Sequence, residues 1–172
     1  METEAIRVAV VMQRAPLASR WQTYQWKPIE VSDGTLFPFG SVRCLRDDPA
    51  DTRWLFNGFD IKLYSDEAEG YFLNIDAPDP CWFVMWRIEQ IEGRDVAVPK
   101  QVTLSYNEAA RLMDGGEQVD TVPAAPEIMG FMASFVQQYY RPEPKKKRRK
   151  PSFEGGTGVE QMAKAEADAH GR

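Results

Sequence analysis

The sequence predicts an α+β fold: a mainly antiparallel β-sheet, built as a sandwich or partly open barrel, followed by two C-terminal helices and a disordered basic tail. Three observations predict it. From Ile6 to Leu104, short apolar or alternating runs rich in Val, Ile, Trp and Phe are broken by Asp-Gly, Asn-Gly and Pro-containing stretches. After Ser105 the apolar residues recur at helical spacing instead. Past Arg141 the composition turns to Pro, Lys, Arg and Gly, which bury nothing.

Ile6 to Met12 is apolar and β-branched, so it reads as a buried strand. Gln13 to Arg20 contains Pro16 and reads as a loop, and Trp21 to Val31 as a second extended segment. Asp33-Gly34 marks a turn, and Pro38 and Gly40 keep the next stretch irregular. In Trp54 to Leu63, the pair Asn57-Gly58 tolerates positive φ and has apolar runs on both sides, which predicts a tight β-hairpin. There Phe59, Ile61 and Leu63 alternate with Asp60 and Lys62, leaving one face wet. Ser65 to Gly70 reads as a polar turn and Tyr71 to Ile75 as a strand.

Cys81 to Ile91 is the most apolar strand. Trp82, Val84, Trp86 and Ile88 share one face, Phe83 and Met85 the other, and coverage of both faces implies a central position. Val96, Val98, Val102 and Leu104 are expected on one face of its partner, where Pro99 removes a ladder donor and implies an edge or a bulge. Ser105 and Glu108 have the spacing of a capping box, with the helix running through Asp114 to a stop at Gly115. A polar link leads to Pro123 and Pro126. From Glu127 to Tyr140, the residues Ile128, Phe131, Met132, Phe135, Val136 and Tyr139 form a helical stripe. Two parts follow: a β-rich domain over 1–141 and a low-complexity tail over 142–172.

The chain has 172 residues, of which 43% are hydrophobic and 12% aromatic, enough for one core. Its net charge of −5 hides a split. The stretch 141–172 has nine Lys/Arg against five Asp/Glu, a balance of +4, which leaves the body at −9. Phosphate repels such a body, so nucleic-acid binding is expected only through the tail and is the less favoured reading. The acidic start Met1-Glu2-Thr3-Glu4 and the short apolar run after it do not resemble a signal peptide. No run approaches the ~20 apolar residues of a membrane span. A cytoplasmic location is expected. Cys44 and Cys81 lack CxxC spacing and are expected as reduced, largely buried thiols, with a single disulfide as the alternative.

The only histidine, His170, falls in the predicted tail. The body is therefore expected to lack Ser-His-Asp and Cys-His chemistry and His-based metal sites. No phosphate-cradling glycine loop is present, and Gly155, Gly156 and Gly158 follow a cation run rather than a strand. Asp47, Asp48, Asp51, Asp66, Glu67 and Glu69 sit in turn-like stretches and match no calcium loop. No catalytic residue, metal or cofactor is expected, and no enzyme. Arg14, Arg20, Trp21 and Trp26, with Tyr24 between them, put arginine forks among aromatic rings, which suits a carboxylate- or phosphate-bearing ligand or a protein partner. Trp54, Trp82 and Trp86 are expected in the core. Lys145, Lys146, Lys147, Arg148, Arg149 and Lys150 form a cation run that could touch RNA, anionic lipid or an acidic surface.

Several stretches together resemble an uncharacterised proteobacterial family, a domain of unknown function: Val8 to Arg14, Pro16-Leu17-Ala18, Arg20-Trp21-Gln22, Trp86-Arg87-Ile88, Val102 to Arg111, and Tyr140 to Pro144 with the basic run. The resemblance covers about residues 6–151. Members of that family are often encoded beside molybdenum or tungsten formate dehydrogenase subunits and their chaperones, and some carry names taken from molybdenum-cofactor guanylylation. The glycine-rich nucleotide loop such a transfer needs near the N-terminus is absent here. The resemblance thus implies a non-catalytic accessory or assembly protein, partnered by a formate dehydrogenase subunit or maturation factor. A carrier of a small anionic ligand, such as a pterin or nucleotide, is the alternative.

Overall fold

The β-branched run that begins at Ile6 forms β1 (Ile6–Pro16), which pairs antiparallel on one side with β2 (Tyr24–Asp33) and on the other with β4 (Asp51–Ile61). β3 (Val42–Asp48) pairs with the outer side of β4, giving the order β2-β1-β4-β3. A second sheet has β5 (Cys81–Ile91) between β6 (Arg94–Thr103) and β7 (Gln118–Pro123). Three helices complete the fold of the described residues: α1 (Ala68–Ile75), α2 (Tyr106–Asp114) and α3 (Pro126–Tyr139). The structure, a computed structural model, describes residues 2–142. The chain divides into two units, Met1–Tyr140 and Arg141–Arg172. The basic run and His170 lie outside the described residues.

Both sheets are antiparallel and neither closes on itself, which is the expected fold class in its open form. They share one core. Val8, Val10, Met12, Trp54 and Phe56 of the first sheet meet Trp82, Val84, Val102 and Val122 of the second, joined by Met132 and Phe135 from α3. Burying a large apolar side chain is worth about 1.5–3 kcal/mol, so this cluster supplies most of the driving force. β1 lies inside its sheet and is covered on both faces. Its odd positions, Ala9 and Val11, form a smaller cluster with Leu55, against which Ile29 and Phe37 pack. β5 is central, as its two apolar faces require, and β6 is an edge strand with a bulge beside Pro99.

The structure departs from the sequence reading at several elements. β1 continues to Pro16, so Gln13 and Arg14 belong to a strand and the connecting loop starts only at Leu17. Trp21 precedes β2 rather than opening it. Asn57-Gly58 is no hairpin turn. Both residues lie within β4, where Gly58, at φ 114°, is the extra residue of a bulge opposite Val8 and Ala9. The hairpin turn lies earlier, between β3 and β4, and β3 itself was not foreseen. Ser65 to Ile75 is a 3₁₀ turn running into α1, not a turn and a strand. The polar link before Pro123 is β7. Among the described residues the helices are therefore three, and α1 sits between the two sheets in chain order.

On β6, Lys100 is an unpaired extra residue that reverses the side-chain alternation. Val96 and Val98 pair with Glu89 and Arg87, whereas Val102 pairs with Val84. All four apolar residues from Val96 to Leu104 nevertheless reach one core: Val96, Val102 and Leu104 are buried in it and Val98 packs against it. Ser105 is the N-cap of α2 and accepts from the Glu108 N–H at 3.1 Å. The reciprocal half of the capping box is replaced. Glu108 accepts from Gln101, and the Ser105 N–H donates to Thr103 Oγ1. Cys44 and Cys81 are both free; Cys44 is exposed rather than buried, and burial pushes the Cys81 thiol pKa up. Trp54 and Trp82 are core, while Trp86 is half-buried and donates to Asp120 at 2.7 Å.

Candidate functional site

The arginine–aromatic group lies at the end of the first sheet where β1 turns into β2. Antiparallel pairing places Arg14 opposite Trp26 on one side and opposite Thr52 on the other. Directly opposed residues project to the same face, so Trp26, Arg14 and Thr52 form a row across three strands. The Arg14 guanidinium lies 4.4 Å from the Tyr24 ring centroid and 6.0 Å from that of Trp26. Its Nη2 donates to Thr52 Oγ1 at a long 3.4 Å. Thr52 is buried, and its hydroxyl donates to the Asp48 carbonyl at 2.9 Å.

Arg14 Nε is buried without a hydrogen-bond partner. A buried donor left unpaired costs about 1–3 kcal/mol, more when charged. Stacking on the rings returns about 0.5–2 kcal/mol of that. The guanidinium is thus held by ring faces and one weak bond, with donor capacity unspent.

Beyond Pro16 the chain turns through residues 17–23, closed by the Leu17 N–H donating to the Thr23 carbonyl at 2.9 Å. The Trp21 N–H donates to Ser19 Oγ at 3.2 Å, which fixes the turn locally. Trp21 itself is 92% exposed, beside exposed Arg20 and flanked by partly exposed Leu17 and Tyr24. A tryptophan this bare covers no core and gives up its full apolar area to water.

The four residues singled out from the sequence therefore separate into two places. Arg14 and Trp26 stack within the sheet, together with Tyr24. Arg20 and Trp21 stand at the turn. Thr52, which completes the Arg14 contacts, could be found only from strand pairing, because it lies far along the chain. An apolar cavity of about 260 Å³ opens elsewhere, among Ile6, Val8, Val31, Trp82 and Ile128.

Two of the carboxylates read as turn residues are held by several partners each. Asp51 accepts from Arg53 and Gln13, hydrogen bonds that hold its pKa below the usual carboxylate range. Glu67 meets Arg111 and accepts from the Ser105 hydroxyl at 2.6 Å. Among the described residues no group of three or more His, Cys, Asp or Glu could hold a metal ion. No helix among them is long and apolar enough to cross a membrane.

A family model described as "Protein of unknown function (DUF3305)" matches residues 7–149. The chain belongs to this family. No curated protein matches it, and no solved structure does. The DUF3305 match takes in both sheets, all three helices and the turn bearing Arg20 and Trp21, and it extends into the cation run as far as Arg149. The expected membership of an uncharacterised family is thereby met.

Proposed function

We propose that this DUF3305 protein works by binding another protein, as a non-catalytic accessory or assembly factor, and that the turn between β1 and β2 makes the contact. The observation that carries the reading is Trp21. A large ring that is 92% exposed next to an arginine is the composition of an interface anchor, since Trp, Tyr and Arg dominate binding hot spots. The short turn is closed by its own hydrogen bonds, so little order has to be gained on docking.

The partner proposed is a formate dehydrogenase subunit or a factor that loads its molybdenum cofactor, on the strength of the resemblance alone. The test is copurification of tagged protein from formate-grown cells, wild type beside a Trp21→Ala/Arg20→Glu variant. Wild type is expected to retain a dehydrogenase or maturation subunit that the variant loses. Recovery of neither from wild type, together with unchanged dehydrogenase activity on gene deletion, rejects the reading.

The unspent Arg14 Nε favours a second reading, in which a small anion such as a pterin or nucleotide engages that guanidinium. Thermal stabilisation by such a ligand, lost in Arg14→Met, would support it. Failure of every anionic ligand tried to raise the melting temperature would remove it.

A further inference from the structure

Strand β3 is exposed at every residue. The way the two sheets overlap explains this. β7 packs on β2, and β6 packs on β4 and β1, so the second sheet covers three strands of the first. β3, the fourth, lies outside that cover. It is also an edge, with one row of backbone N–H and C=O groups unpaired by its own sheet.

Edge strands of soluble proteins are usually blunted by charge or proline. This one carries charge at Arg43, Arg46, Asp47 and Asp48, but exposed apolar residues precede it and lie between its charges. Leu36 is 75% exposed and Phe39 64%, and Val42 and Leu45 are about half exposed. From Leu36 to Arg46 there is no acidic residue, on a body whose balance is −9. The two acids that end the strand are already engaged. Asp47 pairs with Arg94 at 3.0 Å, and Asp48 accepts from the Ala50 N–H at 2.8 Å. The two arginines are held more loosely. Arg46 lies 3.7 Å from an Asp51 that Arg53 holds at 2.9 Å, and Arg43 has no partner among the described residues. The charge left to recruit an occupant is positive.

We infer that β3 receives an extended, acidic segment of a partner protein, which adds to the sheet as a fifth strand. The open backbone edge supplies hydrogen bonds, Val42 and Leu45 meet alternate apolar residues of the segment, and Arg43 and Arg46 meet its carboxylates. A second copy of this chain fits less well, because it would offer two more arginines and only acids that are already spent. Leu45 is the extra residue of a bulge between Cys44 and Arg46, so the uninterrupted ladder is short and the contact is of the transient kind.

The test uses full-length chain with residues 145–150 changed to Gln, so that the cation run contributes nothing. Three short fluorescent peptides serve as probes: alternating Glu-Val, alternating Lys-Val, and Glu-Val interrupted by proline. Anisotropy should show the Glu-Val peptide binding at least about tenfold more tightly than the other two. Arg43→Glu/Arg46→Glu, at exposed positions that leave the circular dichroism spectrum unchanged, should remove that preference. Equal binding of all three peptides, no binding, or a preference that survives the double variant overturns the inference. So does a concentration-dependent dimer in sedimentation that Arg43→Glu abolishes, because a second copy would then occupy the strand.

Discussion

Three buried polar side chains set local structure that apolar packing alone would leave loose. Asn74 donates to the Cys81 and Leu104 carbonyls, each at 2.8 Å, and accepts from the Cys81 N–H at 3.0 Å. It thus ties α1 to the start of β5 and the end of β6. Removing it strands buried backbone groups, and Asn74→Ala should lower stability by about 3 kcal/mol in urea unfolding. Asn57 donates to the carbonyls of Gly34, Phe37 and Pro38, pinning the 34–41 loop to β4. Tyr71 is buried, and its hydroxyl accepts from the Tyr64 N–H. Burial favours the neutral phenol and pushes its pKa up to about 12 from an ordinary 10. The unfolded chain then releases this proton first as pH rises, so stability falls between pH 10 and 12, by roughly 2–3 kcal/mol. Below pH 10 the group contributes no pH dependence. In Tyr71→Phe that part of the alkaline loss should vanish from the stability–pH profile.

At the scale of elements, glycines mark where strands and helices approach too closely for a side chain. A Cβ on Gly70 of α1 would fall 2.1 Å from Ser105 Oγ, at the cap of α2, so Gly70→Ala should push the two helices apart. A loss of about 1–3 kcal/mol is expected, with thermal unfolding as the measurement. Gly58 combines φ 114° with a Cβ position 3.2 Å from the Gly40 nitrogen. Gly58→Ala should therefore cost more than glycine replacement at a compatible site, about 1–2 kcal/mol.

The same elements show what the sequence disclosed. β5, the edge character of β6, α2 and α3 were legible because each carries a complete periodic pattern or a cap. Asn57-Gly58 misled because positive φ serves a bulge as well as a turn, and only the partner strand decides between them. α1 was legible and missed: Ala68, Tyr71, Phe72 and Ile75 have helical spacing after an acidic start at Asp66 and Glu67. β3 and β7 are short and polar, and their strand state follows from pairing with β4 and β5. The separation of Arg14 from Arg20 and Trp21 depends on where β1 ends, at Pro16, four residues past the Met12 that closes its apolar run.

At the scale of the molecule, the β1–β2 turn with Arg20 and Trp21 and the overhanging strand β3 lie outside the shared core of the described residues. Replacing Trp21 should leave folding nearly untouched, because it is out of the core. Trp82→Ala should cost about 3–5 kcal/mol, by contrast, because that ring is only 2% exposed. Equal loss of stability in the two variants would mean that Trp21 packs against something within the chain.

The most direct measurement places a photo-crosslinking phenylalanine analogue at position 21 in cells growing on formate, with Glu92 in the β5–β6 turn as the control position. A discrete adduct at position 21, containing a formate dehydrogenase subunit or maturation factor and missing at position 92, is the predicted result. Absence of any adduct at 21, or the same adducts at both positions, would contradict a docking role for the turn.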